Sequence, residues 1–206
     1  MLTKKQLKIF NIFARNTFRE YSFKEIKVLS KKKSNSLLQN AIKKFLDENL
    51  VSEKKIGTSK LYKINHDNDK VFDYLDISIN DNLPKLVKRS LYIIKNELDK
   101  YLFFYSLVIF GSYVNKSNKE KSDLDIAIFT SKTEKNIKIA MNSAQNKSLL
   151  DLDFHHITAK DFLEMLKVDY ENLGKEIARK NLPVCNNRIF YKLVLRGIKN
   201  GFKVVS

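Results

Sequence analysis

Gly111-Ser112, ten further residues and then Asp123-Leu124-Asp125 lie between two short apolar runs, Leu107-Val108-Ile109-Phe110 and Ile126-Ala127-Ile128-Phe129. Runs of this length, rich in β-branched residues, predict buried strands on both sides. On the second strand Asp123 and Asp125 are two apart, so both carboxylates project from one face. Two carboxylates this close repel one another unless a cation lies between them. Hard oxygen ligands beside a Gly-Ser turn suit Mg²⁺ carrying a nucleoside triphosphate. Gly lets a backbone approach phosphate closely, and a helix N-terminus favours anions.

With Ser122 just before the pair, these residues resemble the signature of the DNA polymerase β-like nucleotidyltransferase superfamily, and most closely its minimal nucleotidyltransferases. The resemblance implies that Gly111 and Ser112 hold the triphosphate and that Asp123 and Asp125 bind two Mg²⁺ ions. It also implies a third carboxylate on a later strand. Leu149-Leu150-Asp151-Leu152-Asp153-Phe154-His155-His156-Ile157 reads as that strand. The family pattern favours Asp153, as ligand and as acceptor of the attacking hydroxyl's proton, with Asp151 the alternative. His155 and His156 are adjacent, so on a strand they point to opposite faces and read as polar residues at its end. Many family members have Arg-Gly shortly after the Gly-Ser; here Asn115 and Lys116 stand instead. Lys116, Lys119 and Lys121 remain available to neutralise triphosphate charge.

The first 66 residues read as a separate module. Lys4–Arg15 carries apolar residues at helical spacing, and Ser22 with Glu25 forms a capping box for a second helix through Leu29. Ser34 or Asn35 caps a third helix running to about Glu48. Two strands then flank Gly57-Thr58, a hairpin signal. Three helices followed by a hairpin resemble a winged helix-turn-helix, whose third helix enters the DNA major groove. That likeness implies contacts from Lys32, Lys33, Ser36, Gln39, Asn40 and Lys43 around the third helix, and from Lys54, Lys55 and Lys60 on the wing. Charge points the same way. Residues 1–66 hold 16 Lys and Arg against 5 Asp and Glu, leaving +11; the rest hold 23 against 18, leaving +5. Such an excess is the electrostatic footprint of a nucleic-acid partner. The chain has 33 Lys and 6 Arg, so bidentate guanine reading by Arg is not expected, and specificity would rest on Gln39, Asn40 or DNA shape.

The expected fold class is α+β: residues 1–66 a winged helix-turn-helix, 67–83 a linker rich in Asp and Asn, and 84–206 a polymerase β-like domain with a mixed sheet and a helical C-terminal tail. Pro84 opens a helix through about Lys100. Thr158 caps one later helix, a second covers about Tyr170 to Arg179, and Asn186 or Asn187 opens the last. The stretch 171–193 is also similar to the C-terminal part of archaeal-type minimal nucleotidyltransferases. No signal peptide and no membrane-spanning stretch is evident, and a single cysteine, Cys185, fits a reducing cytoplasm. The expected activity is Mg²⁺-dependent transfer of NMP from an NTP, ATP first, to a hydroxyl. The family resemblance adds a protein acceptor such as a HEPN-type ribonuclease toxin. The alternative is a DNA-binding transcriptional regulator, homodimeric on a two-fold site, whose second domain only senses nucleotide or binds a partner; an antitoxin that represses its own operon would combine both readings. RNA-end modification is a third reading.

Overall fold

This computed structural model describes residues 1–115, 122–131 and 134–204. The chain divides into two compact units, Met1–Asp81 and Asn82–Ser206.

The N-terminal unit runs α1 (Lys4–Ala14), β1 (Tyr21–Ser22), α2 (Phe23–Ser30), α3 (Asn35–Asp47), β2 (Val51–Ile56), β3 (Ser59–Ile64) and α4 (Lys70–Asn82). Side chains close both early helices at their N-termini. Thr3 and Gln6 cap α1 reciprocally, and Ser22 and Glu25 do the same for α2, which satisfies amides with no partner inside the helix. Ser34 accepts from the Leu37 amide and opens α3. The strands form an antiparallel sheet in the order β1-β3-β2. Its hairpin turns through Gly57, whose φ of +58° an L side chain adopts only under strain. Phe10, Phe13 and Phe45 are fully buried, and Phe45 stands edge-on to both others.

Residues 67–83, expected as a linker, instead contain α4. Val71, Phe72, Leu75 and Ile79 recur at helical spacing and are buried. Tyr74 packs on Phe10 and accepts from the Leu2 amide, while Asn68 ties the entry to α4 to the carbonyls of Glu48 and Asn49. Of the residues that read as turn signals, Asn68 accepts from the Lys70 amide at the start of this helix.

The imidazole of His66 stacks on Phe18, with ring centroids 4.9 Å apart. Burial pushes its pKa from 6.5 to about 4, with Asp67 opposing and Lys63 assisting. The folded state therefore binds fewer protons than the unfolded chain in this range. The stability this contributes is complete above about pH 6.5 and is lost as the pH falls towards 4, by roughly 3 kcal/mol at the lower end. Urea denaturation of the full chain at pH 7, 6, 5 and 4 should show that slope, and a His66→Phe variant should lose it. Equal slopes in the two proteins would remove His66 as the cause.

The C-terminal unit runs α5 (Lys85–Leu98), β4 (Ser106–Ile109), α6 (Ser112–Asn115), β5 (Leu124–Phe129), α7 (Glu134–Lys147), β6 (Leu152–Ile157), α8 (Ala159–Lys167), α9 (Leu173–Arg179), β7 (Leu182–Cys185) and α10 (Asn187–Lys199). The sheet is mixed, in the order β6-β5-β4-β7. β5 runs parallel to β6 and antiparallel to β4, which is antiparallel to β7. The helix expected from about Tyr170 begins at Leu173, because Asn172 accepts from the Lys175 amide and caps it there. Pro183 cannot donate to a ladder, and it lies on the edge strand β7.

α5 packs on α7, and a buried Glu97 joins them. Its carboxylate accepts from Lys100 and Lys147, each at 2.6 Å. Hydrogen bonds from Lys100, Lys147 and Ser143 hold its pKa down at about 2. α10 packs on α8, where Phe129, Phe162 and Phe190 form an aromatic cluster with centroids 5.0 to 5.9 Å apart. No helix among the described residues is long and apolar enough to cross a membrane.

Candidate functional site

The strand pattern brings the chemistry of the C-terminal unit to one end of its sheet. β4 ends at Ile109, and its antiparallel neighbour β5 begins there, with Ile109 opposite Ile126. β6 is parallel to β5 and starts at the same end, with Asp153 in register with Asp125. β7 also starts there, Leu182 facing Ile109. Gly111, Ser112, Asp123, Asp125 and Asp153 therefore share one edge of the sheet.

Gly111 has φ +67°, and a Cβ built on it would lie 2.1 Å from Asp125 Oδ2. Only a residue without a side chain lets the turn and the carboxylate occupy these places together. Phe110 donates its amide to the Asp125 carbonyl at 3.2 Å, so the turn is also tied to the strand backbone. Along β5 every residue but Asp125 is buried; Asp125 alone is half-exposed at the mouth of the sheet. Burial pushes its carboxyl above the usual range. The Ser112 backbone N–H opposes this, and the charges of Asp153, Asp123 and Glu176 add to the rise.

Asp151 and Asp153 are separated by their surroundings. Asp153 stands beside Asp125 across the parallel pair, with His155 Nε2 at 3.3 Å from its Oδ2. Asp151 precedes β6. Its carbonyl accepts from the Leu124 amide, and its carboxylate receives a long contact from Gln145 Nε2 at 3.5 Å. His155 and His156 point apart, as alternation requires. His155 faces Asp153 and the Phe110 ring, and His156 meets the Thr130 carbonyl. Among the described residues no group of three or more His, Cys, Asp or Glu side chains is placed to hold a metal ion. Lys116, Lys119 and Lys121 lie outside the described residues.

Two residues at this edge have no counterpart in the sequence expectations. Glu176, exposed on α9, adds its charge to the field on Asp125. It belongs to a helix far along the chain, and only the pairing of β7 with β4 reveals its place. Tyr113 follows the Gly-Ser directly. Burial raises its hydroxyl pKa, helped by the charges of Asp123 and Asp125.

In the N-terminal unit, Ser36, Gln39, Asn40 and Lys43 are all exposed on α3. Their spacing of three and four places them on one face, opposite the buried Leu38, Ala41, Ile42 and Phe45. Lys32 and Lys33 are exposed in the approach to that helix, after a left-handed Lys31. On the hairpin, Lys54 and Lys55 are exposed, and Lys55 lies opposite Lys60. Lys60 relieves that like-charge pair by binding Glu53 at 2.9 Å, so its charge is already partnered.

Comparison with curated proteins finds no match for the chain. Residues 93–182, which carry the turn, all three carboxylates and Glu176, match the family model described as polymerase beta, nucleotidyltransferase, and this supports a polymerase β-like domain with nucleotidyl transfer as its general activity.

Proposed function

We propose that the C-terminal unit moves a nucleoside monophosphate from an NTP, with ATP the expected donor, to a hydroxyl on a protein or nucleic acid. What supports this most is the pairing of Asp125 with Asp153 beside a left-handed Gly111 whose missing side chain makes room for the carboxylate. The donor set is hard oxygen, which suits Mg²⁺ in kind. Mg²⁺ is ordinarily held by one or two carboxylates, with phosphate oxygens and water completing the shell, so a site without a closed protein cage is compatible with it. Asp123 and Asp125 would hold the two ions, and Asp153 would complete the site. When bound, Mg²⁺ supplies positive charge that offsets the repulsion among the carboxylates and stabilises charge on the phosphoryl oxygens.

The chain's own residues then do three things. Gly111 lets the backbone come close to the triphosphate, and Ser112 offers its hydroxyl there while its amide holds Asp125. Asp153, the more solvent-open of the paired carboxylates, takes the proton of the attacking hydroxyl. That oxygen bonds to the α-phosphorus as the bridge to the β-phosphate breaks, and pyrophosphate leaves. A tyrosine of a HEPN-type ribonuclease partner is one acceptor of this kind. With α-labelled ATP the label should reach the acceptor, matched by pyrophosphate one for one. Transfer from γ-labelled ATP instead would mean phosphoryl transfer and would overturn the proposal.

We infer that the N-terminal unit is a winged helix that binds DNA. Its support is the exposed polar face of α3 next to a hairpin bearing the exposed Lys54 and Lys55. Lys43→Ala should weaken binding about equally on all sequences and lower the salt slope by about 1. Gln39→Ala or Asn40→Ala should cost about 1–3 kcal/mol on the preferred site and little elsewhere. Fluorescence anisotropy across a salt series checks both. Binding that ignores all three substitutions would exclude α3 as the reading helix.

A further inference from the structure

Asp123 is the least anchored of the three carboxylates. The β4–β5 ladder begins at Ile126 opposite Ile109, and the β5–β6 ladder begins at Leu124 opposite Leu152. Asp123 precedes both. On its C-terminal side the backbone is fixed, because the Leu124 amide donates to the Asp151 carbonyl at 2.8 Å. On its N-terminal side the Ser122 carbonyl accepts a hydrogen bond from the Tyr113 hydroxyl at 3.3 Å. Tyr113 is in α6, one residue after Ser112. The bond therefore joins the two ends of the motif directly, across the intervening chain. It complements the bond from the Phe110 amide to the Asp125 carbonyl, which fixes the other member of the acidic pair. The Tyr113 ring is half-buried, so its place is set by packing as well as by the hydroxyl.

We propose that Tyr113 is a positioning residue: through the Ser122 carbonyl it holds Asp123 against the Gly111-Ser112 turn, and so sets the span across which a divalent cation is shared by Asp123 and Asp125. This rests on the reading of those two carboxylates as cation ligands. Tyr113 itself touches no reacting atom. Its hydroxyl is a donor to backbone, and removing it takes away no carboxylate but frees the chain on the N-terminal side of Asp123.

The test uses the full chain and Mn²⁺ alone, with affinity read by electron paramagnetic resonance and amide exchange read at Asp123 and Leu124. Tyr113→Phe should fold as the wild type does, bind Mn²⁺ about five- to tenfold more weakly, on the scale of one lost hydrogen bond, and exchange those amides faster. Incorporating p-aminophenylalanine at 113, which restores an N–H donor at the same position, should recover the affinity; a merely structural ring would not need the donor. Wild-type Mn²⁺ affinity in Tyr113→Phe would overturn the proposal, as would a wild-type protein that binds no Mn²⁺. If the phenylalanine variant loses affinity while the wild type transfers no NMP, the positioning role stands and the nucleotidyl-transfer reading falls. If transfer is present and Tyr113→Phe binds Mn²⁺ normally, the reverse holds.

Discussion

Asp125→Asn should abolish NMP transfer and leave the fold at least as stable as before. The two effects have one origin. Asp125 is a half-exposed carboxylate at the start of a buried strand, its pKa raised by burial and by the charges of Asp153, Asp123 and Glu176. A carboxyl whose pKa is raised on folding costs stability once the pH exceeds it, because the folded state holds the proton more tightly than the unfolded chain. Asn removes that charge and keeps the shape, so the melting temperature at pH 7 should stay level or rise. The same change deletes the carboxylate proposed to serve both ions, and loss of a group central to such a site costs roughly 10³-fold or more in rate. Thermal melts beside a transfer assay check both. A variant that keeps its turnover, or that unfolds, would contradict this account of Asp125.

Gly111→Ala should be the most damaging single methyl group in the C-terminal unit. Its added carbon would lie 2.1 Å from Asp125 Oδ2 and 2.8 Å from Asp125 Cγ, closer than real side chains pack. The backbone at φ +67° disfavours alanine independently of that clash. Either the turn unwinds from its positive φ or the Asp125 side chain swings away, and both outcomes disturb the site. The expected loss of stability is about 2–3 kcal/mol, with transfer reduced at least as strongly as a displaced ligand requires. Gly57→Ala makes the comparison fair, since Gly57 also has positive φ but nothing within 4 Å of its added Cβ. That variant should lose only the backbone contribution. Equal losses at the two positions would show that contact with Asp125 is not what demands glycine at 111.

The acidic motif was legible because its information is local. Gly111-Ser112 and Asp123-Leu124-Asp125 are defined by spacing, although β5 begins only at Leu124, so alternation along the strand covers Asp125 and not Asp123. Local rules stop at the third. Asp151 and Asp153 are also two apart, so spacing in the sequence does not separate them; in the structure Asp151 precedes β6, while Asp153 lies within it beside Asp125. Glu176 is invisible for the same reason, since a strand pairing brings it near. Secondary structure was missed where the pattern was thin. The buried stripe of α7 is Ile137, Ala140, Met141 and Ala144, largely small residues among polar neighbours. β7 carries a proline that argues against a strand until its edge position is known. In α4 the Asn and Asp residues at both ends outweighed Phe72, Leu75 and Ile79, although these were the residues that pack.

Nucleotidyl transfer by the polymerase β-like unit is the activity to measure first. Purified protein should be incubated with Mg²⁺, host lysate and each of the four α-labelled NTPs, beside an Asp123→Asn/Asp125→Asn variant shown by thermal melt to be folded. The account predicts label on a macromolecule with the wild type alone, which would name both the donor base and the acceptor class. Equal labelling by the folded double variant, or no labelling by the wild type with any of the four, would contradict it.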